Sequence, residues 1–195
     1  MADMPPIRVA VLTVSDRCSR GETVDTSGPA LAAMARTRLA AEVVATACVP
    51  DAVDAIAAQL RTWTNDAPRP DLLLTTGGTG LAPRDVTPEA TVAVLERRHE
   101  GLLELARRRC YEKTPRTYLS RGEAGTLGQT LILNLPGSER GATEMLEALL
   151  DILPHAIETL RGDVKDDGRP APGTPGSPAT PASEPGEERD HTRCA

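Results

Sequence analysis

The chain has 195 residues, 28 acidic against 22 basic side chains, and a formal charge of −6. At roughly 100–200 residues per domain, that length makes one domain with room for an appendage. With no Phe, one Trp and two Tyr it lacks an aromatic platform for stacking bases, and its acidic balance lacks the basic footprint of a nucleic-acid binder.

Residues 7–14 (IRVAVLTV) are a short, β-branched apolar run that reads as a buried strand. A polar loop over 15–28 follows. Pro29 suits the first turn of a helix over 30–41, because its missing N–H and fixed φ cost nothing there. Residues 42–49 (EVVATACV) read as a second strand, ended by Pro50. Ala52, Val53, Ile56, Ala57 and Leu60 give helical spacing to 51–63. Residues 71–76 (DLLLTT) form a third strand, broken by Gly77-Gly78-Thr79-Gly80. Thr87 as N-cap and Pro88 in the first turn open a helix expected to reach about Arg98, and a second helix covers 102–111. Residues 118–129, richer in glycine and polar side chains, suggest a small hairpin. Residues 130–135 (TLILNL) are the fourth strand, and a last helical pattern over 139–160 is kinked or split by Pro154.

Residues 165–195 hold six prolines and four glycines but no Leu, Ile, Val, Met or aromatic side chain. Such a segment cannot bury enough apolar surface to offset its ordering entropy. The expected organisation is a short extension over 1–6, a domain over 7–162 and a disordered tail over 163–195. No apolar run approaches the roughly 18–20 residues of a membrane span. The start, MADMPP, has neither the basic stretch nor the cleavage site of a leader. The expectation is a cytoplasmic protein without a membrane or nucleic-acid partner.

Strands alternating with helices describe an α/β domain with a largely parallel sheet. Ligands in such folds sit beyond the carboxyl ends of the strands, where the loops 13–16, 50–51, 77–85 and 134–137 converge. The four cysteines include no Cys-x-x-Cys pair and the three histidines are scattered, so a zinc site is not expected. The glycine turn is neither a Walker loop nor a dinucleotide fingerprint. Its amides can point at an anion, aided by the next helix dipole, although glycines also serve any tight turn. Asp51 and Asp85 follow the ends of the second and third strands and could face each other. Two carboxylates beside a phosphate-binding turn are what a Mg²⁺ site for phosphoryl or nucleotidyl transfer needs. Asp51 is equally placed to cap the next helix, and Asp85 to precede the Thr87 cap. Thr13, Ser15, Ser120 and Asn134 lie near strand ends, where each could bond a ligand or satisfy loop backbone. Arg107, Arg108 and Arg109, with Arg97, Arg98 and Arg116, read as a solvated helix face or a supporting field for an anion.

With these positions in hand, the sequence resembles the molybdopterin adenylyltransferase family (MogA/MoaB-like proteins). The matching motifs run in family order: TVSDR at 13–17, DTSGP at 25–29, VPD at 49–51, TTGGTG at 75–80, PRDVTPEAT at 83–91, LSR at 119–121 and ILNLPGS at 132–138. The resemblance implies a three-layer α/β domain, usually a homotrimer. The implied reaction joins ATP and molybdopterin, with Mg²⁺, to give adenylyl-molybdopterin and pyrophosphate. It implies that Asp51 and Asp85 are the essential acidic pair and the Mg²⁺ ligands. Gly77, Gly78, Thr79 and Gly80 would belong to the nucleotide-phosphate site, with Cys110 nearby. Thr13, Ser15, Ser120, Asn134 and Pro136 would contribute to the molybdopterin pocket or its rim. Cys110 stands where compared family members commonly carry Ser, and a thiol is the weaker hydrogen-bond partner. The chain also lacks the insertion after NLPG found in some bacterial adenylyltransferases and is closer to the shorter MoaB-like form. Three functions are therefore in play: an adenylyltransferase able to hand its product to a molybdenum-insertion protein, a molybdopterin-binding homologue with little turnover, and a pyrophosphatase-like relative.

Overall fold

Strands β1 (Arg8–Val14), β3 (Leu72–Thr76) and β6 (Thr130–Leu135) are buried along their length apart from the half-exposed Arg8. Apolar runs without alternation take such central places, covered on both faces. They do so in a computed structural model that describes residues 5–162; the expected tail and the first four residues lie outside these. The sheet order is β2-β1-β3-β6-β5-β4, with β2 at Glu42–Val49, β4 at Arg97–Arg98 and β5 at Ala124–Leu127. The four strands β2, β1, β3 and β6 are parallel, and β5 and β4 continue the sheet antiparallel.

Because side chains alternate along a strand, β1 serves two cores. Val9 and Val11 pack with Leu31 of α2 (Ser27–Arg38), Leu103 of α5 (Glu100–Cys110), Leu146 of α6 (Glu139–Glu147) and Ile157 of α7 (Leu153–Arg161). Ala10 and Leu12 face the other way, toward Ile56 and Leu60 of α3 (Val53–Asn65) and Ala90 of α4 (Thr87–Val92). The result is the expected three-layer α/β architecture. No helix among the described residues is long and apolar enough to cross a membrane.

Several expectations are corrected. The loop over 15–28 contains a short helix, α1 (Asp16–Ser19), and α2 begins at Ser27 and ends at Arg38, just before Ala40 takes a left-handed φ of 49°. Helix α4 stops at Val92 rather than Arg98, because Arg97 and Arg98 leave it to pair with Thr126 and Gly125. Gly125 permits this: a Cβ there would stand 2.2 Å from the Arg97 carbonyl oxygen. Tyr118 and Leu119 belong to a 3₁₀ turn (Pro115–Leu119), and the hairpin is β5 with β6, closed by Gly128 at φ +57° and Gln129. The pattern over 139–160 splits, as Pro154 requires, into α6 and α7.

At the amino ends of the strands, Asp71 is 3% exposed and accepts bonds from Arg161 Nη2 (2.6 Å) and Nε (3.1 Å) and from the backbone N–H (2.8 Å) and Nη2 (3.1 Å) of Arg8. Burial alone would push this carboxyl up. The hydrogen bonds from Arg161 and Arg8 outweigh it and hold the pKa down at about 2. Arg161 also donates to the carbonyls of Pro5 and Pro6 at 3.1 and 3.0 Å.

Candidate active site

The glycine turn is hung from β6 by the Gly77 amide, which donates to Leu135 O (3.2 Å), and each of its four carbonyls is also held. Thr87 Oγ1 donates to Gly77 O (2.8 Å), the Thr87 amide to Gly78 O (3.0 Å), the Arg121 amide to Thr79 O (2.8 Å) and Arg121 Nε to Gly80 O (2.8 Å). In a trans peptide the C=O and the following N–H point in opposite directions. Pinning the carbonyls of 77, 78 and 79 on one side therefore turns the amides of Gly78, Thr79 and Gly80 to the other. Among the described residues none of these three amides meets a protein acceptor. Consecutive outward amides of this kind form an anion cradle. Gly77 (φ +106°) and Gly78 (φ +61°) supply the backbone the turn needs. Gly137 packs its backbone on Gly77: a Cβ on Gly137 would lie 3.1 Å from the Gly77 Cα. Thr87 is thus not the N-cap expected of it. Val86 holds that position without a side-chain bond, and the Thr87 hydroxyl is used to fix the turn.

Each candidate carboxylate lies against one glycine of the turn. A Cβ on Gly78 would come within 3.1 Å of Asp51 Oδ1, and one on Gly80 within 2.7 Å of Asp85 Oδ2. Asp51 does not cap α3, whose N-cap is Ala52 with no side-chain bond. Its Oδ2 instead accepts from the Asp16 amide at 2.8 Å. Asp85 Oδ2 accepts from the Ala82 amide at 2.9 Å. No group of three or more His, Cys, Asp or Glu among the described residues could hold a metal ion. Two carboxylates beside an anion cradle nevertheless fit Mg²⁺, which takes one or two of them and completes its shell with phosphate oxygens and water.

Two clefts open on either side of the turn, of about 700 and 490 Å³, and Gly78, Asp85 and Gly137 line both. Thr13, Ser15, Asp51 and Gly77 line the first; Thr79, Gly80, Cys110, Ser120 and Pro136 line the second. The residues expected in the molybdopterin pocket or its rim divide between the two sides of the turn. The reason is topological: β3 lies between β1 and β6, so its glycine turn forms a wall between the loops that follow them. Asn134 lines neither cleft. It is fully buried, donates to Thr75 Oγ1 and Thr91 Oγ1 at 2.9 Å each, and accepts from the Glu123 amide at 3.1 Å.

The other polar candidates are partly committed to the protein. Thr13 Oγ1 donates to Asp25 Oδ2 (2.5 Å), and Ser15 Oγ caps α1 by accepting from the Cys18 amide (3.3 Å). Ser120 Oγ donates to Thr79 Oγ1 (3.1 Å). The buried Cys110 thiol donates to the Glu144 carbonyl (3.4 Å), and burial raises its pKa. Sequence reasoning missed four contributors. Asp16 pairs with Asp51, and Asp25 accepts from the Gly28 amide (3.0 Å) at the start of α2. Arg84 lines the first cleft, and Arg121 braces the turn. All four fall in the quoted motifs, which were the available signal.

Residues 10–155 match the family described as a probable molybdopterin binding domain. The chain is 37% identical over 166 residues to a molybdopterin adenylyltransferase from Helicobacter pylori (strain J99), covering 82% of this chain and 91% of that protein. It is 43% identical over 161 residues to the molybdenum cofactor synthesis protein cinnamon of Drosophila melanogaster, covering 83% of this chain. The chain spans only about a quarter of that relative's length (27%). The crystal structure of the molybdopterin biosynthesis enzyme MoaB from Thermus thermophilus superposes with a TM-score of 0.74 at 50% identity, covering 80% of this chain and 97% of that one. The family match over most of the chain and the shared three-layer α/β fold give the class. This chain belongs to the molybdopterin-binding family of molybdenum cofactor biosynthesis.

Proposed function

We propose that this protein is a molybdopterin adenylyltransferase, a nucleotidyltransferase that moves AMP from ATP to the terminal phosphate of molybdopterin and releases pyrophosphate. The observation that carries the reading is the meeting of two clefts at Gly78, Asp85 and Gly137, since the reaction must bring two phosphate-bearing substrates end to end. Relatives carrying that name at 36–37% identity over most of the chain support it.

In this reaction an oxygen of the pterin phosphate attacks the α-phosphorus of ATP and the bond to the β-phosphate breaks. A phosphate monoester has a second pKa of about 6, so the nucleophile is already anionic and needs no strong base. That agrees with a site built from carboxylates and glycines without histidine. The obstacle is alignment of two mutually repelling anions. The amides of Gly78, Thr79 and Gly80 would hold phosphate oxygens, and Arg84, with Arg17, would supply positive charge along the first cleft. Asp51 and Asp85 would hold Mg²⁺, which when bound supplies charge neutralisation to the transferring phosphate.

Pyrophosphate release from Mg·ATP that depends on molybdopterin tests the reading. Molybdopterin binding without that release would instead make the protein a carrier, a second reading favoured by Cys110, whose only proton is committed to Glu144. Release of pyrophosphate or phosphate without pterin would point to the pyrophosphatase-like relative. A homotrimer, a cytoplasmic location and hand-over to a molybdenum-insertion protein complete the proposal.

A further inference from the structure

We propose that Arg121 is a positioning residue that locks the glycine turn, the Asp85 loop and the start of α4 into one body. It thereby sets where the phosphate-facing amides stand relative to the Asp85 carboxylate. This inference rests on the adenylyl-transfer reading above.

The guanidinium spends each nitrogen on a different part of the segment 80–89. Nε donates to Gly80 O at 2.8 Å, Nη2 donates to Asp85 O at 2.5 Å, and Nη1 bonds and ion-pairs with Glu89 in the first turn of α4. The backbone amide of the same residue holds Thr79 O at 2.8 Å. One residue thus fixes both ends of the loop whose interior carries Asp85. Within that loop the Asp85 carboxylate is tied only to the nearby Ala82 amide, so it moves wherever the backbone at 85 moves.

Arg121 lines neither cleft of the site. It lines a third hollow behind the turn, with Arg107 and Glu123. Its guanidinium nitrogens are committed to Gly80, Asp85 and Glu89, so the proposed effect passes through the turn and Asp85. The role also demands arginine. A planar fork can serve three acceptors in fixed directions at once, whereas a lysine ammonium on a flexible stem cannot hold the same geometry.

The test uses the full chain with Arg121→Lys and Arg121→Met, each checked for thermal unfolding, and Arg121→Ala assayed with and without low-millimolar guanidinium. Misplacement of reacting groups by roughly 1 Å costs up to about a hundredfold. Turnover should therefore fall by about tenfold to a hundredfold in both variants. The Mg²⁺ concentration for half-maximal rate should rise, KM for molybdopterin should stay nearly constant, and guanidinium should restore part of the Arg121→Ala activity. A merely structural residue would lower the melting temperature without moving the Mg²⁺ requirement and without guanidinium rescue, and that result would overturn the proposal. So would turnover and Mg²⁺ requirement within about twofold of the unmodified protein. If the unmodified protein releases no pyrophosphate, the functional reading has failed, and the inference is then judged by calorimetric binding of Mg·pyrophosphate alone. Weaker binding by Arg121→Met sustains it; equal binding, or none by the unmodified protein, overturns it.

Discussion

Asp16 and Asp51 exchange hydrogen bonds: the Asp16 amide donates to Asp51 Oδ2 at 2.8 Å, and the Asp51 amide donates to Asp16 Oδ1 at 3.1 Å. The pair staples the loop after β1 to the loop after β2 and leaves Asp51 Oδ1 directed at Gly78. An Asn at 51 can still present a carbonyl oxygen to the Asp16 amide, so Asp51→Asn should fold normally while losing the charge. Loss of one such transition-state contact typically costs about 3–4 kcal/mol, a hundred- to thousandfold in rate. We expect a loss of that size in molybdopterin-dependent pyrophosphate release for Asp51→Asn and for Asp85→Asn. Molybdopterin binding should survive better than turnover. Normal turnover by Asp51→Asn would remove that residue from the mechanism.

Gly78→Ala should abolish binding of Mg·ATP. Its Cβ would stand 2.4 Å from Thr87 Oγ1, on backbone with φ +61°. Gly128→Ala is the matched control, because it has φ +57° but nothing within 4 Å of the added carbon. Both should lose about 1–3 kcal/mol to backbone strain. Calorimetry should find nucleotide binding lost only in Gly78→Ala, and loss in both would show that strain anywhere suffices.

Cys110→Ser should keep the fold within about 1 kcal/mol, since a hydroxyl can make the bond to the Glu144 carbonyl that the thiol makes now. Its second lone pair is the better acceptor toward the cleft. Affinity for Mg·ATP, compared by titration calorimetry, is expected to rise or hold. A fall would assign the sulfur itself a role in the cleft.

Asp71 predicts the acid limb of stability. Its folded pKa, near 2, lies below the ordinary 3.8, so it contributes stability that is complete above about pH 4. That contribution drains away as pH falls through 2. A shift of this size corresponds to about 2 kcal/mol. Urea unfolding between pH 5 and pH 2 should show the decline, and Asp71→Asn should flatten it. An unchanged slope in Asp71→Asn would mean that other carboxylates control the acid limb.

The central strands were legible because runs such as LLLTT and TLILNL are too apolar to lie anywhere but mid-sheet. Helix α4 was overextended because the pairing that draws Arg97 and Arg98 away depends on Gly125, a residue remote in sequence. Asp51 shows the same limit within the site. Its position after Pro50 was compatible with a helix cap, and only the fold reveals that the carboxylate turns to Asp16 instead. The split of Thr13 and Ser15 from Ser120 and Pro136 follows from the non-sequential order β1-β3-β6, which no local spacing encodes. Asn134 likewise looked like a ligand contact until its neighbours Thr75 and Thr91, on other elements, claimed both amide hydrogens.

By bonding Asp71 together with the carbonyls of Pro5 and Pro6, Arg161 brings the entrance and exit of the domain side by side. That seam lies at the amino ends of the strands, while both clefts open beyond the carboxyl ends. A longer polypeptide can therefore pass into and out of this unit through neighbouring doors on the wall opposite the two clefts. Such a unit works as a cassette: segments joined at either end need not thread past the clefts.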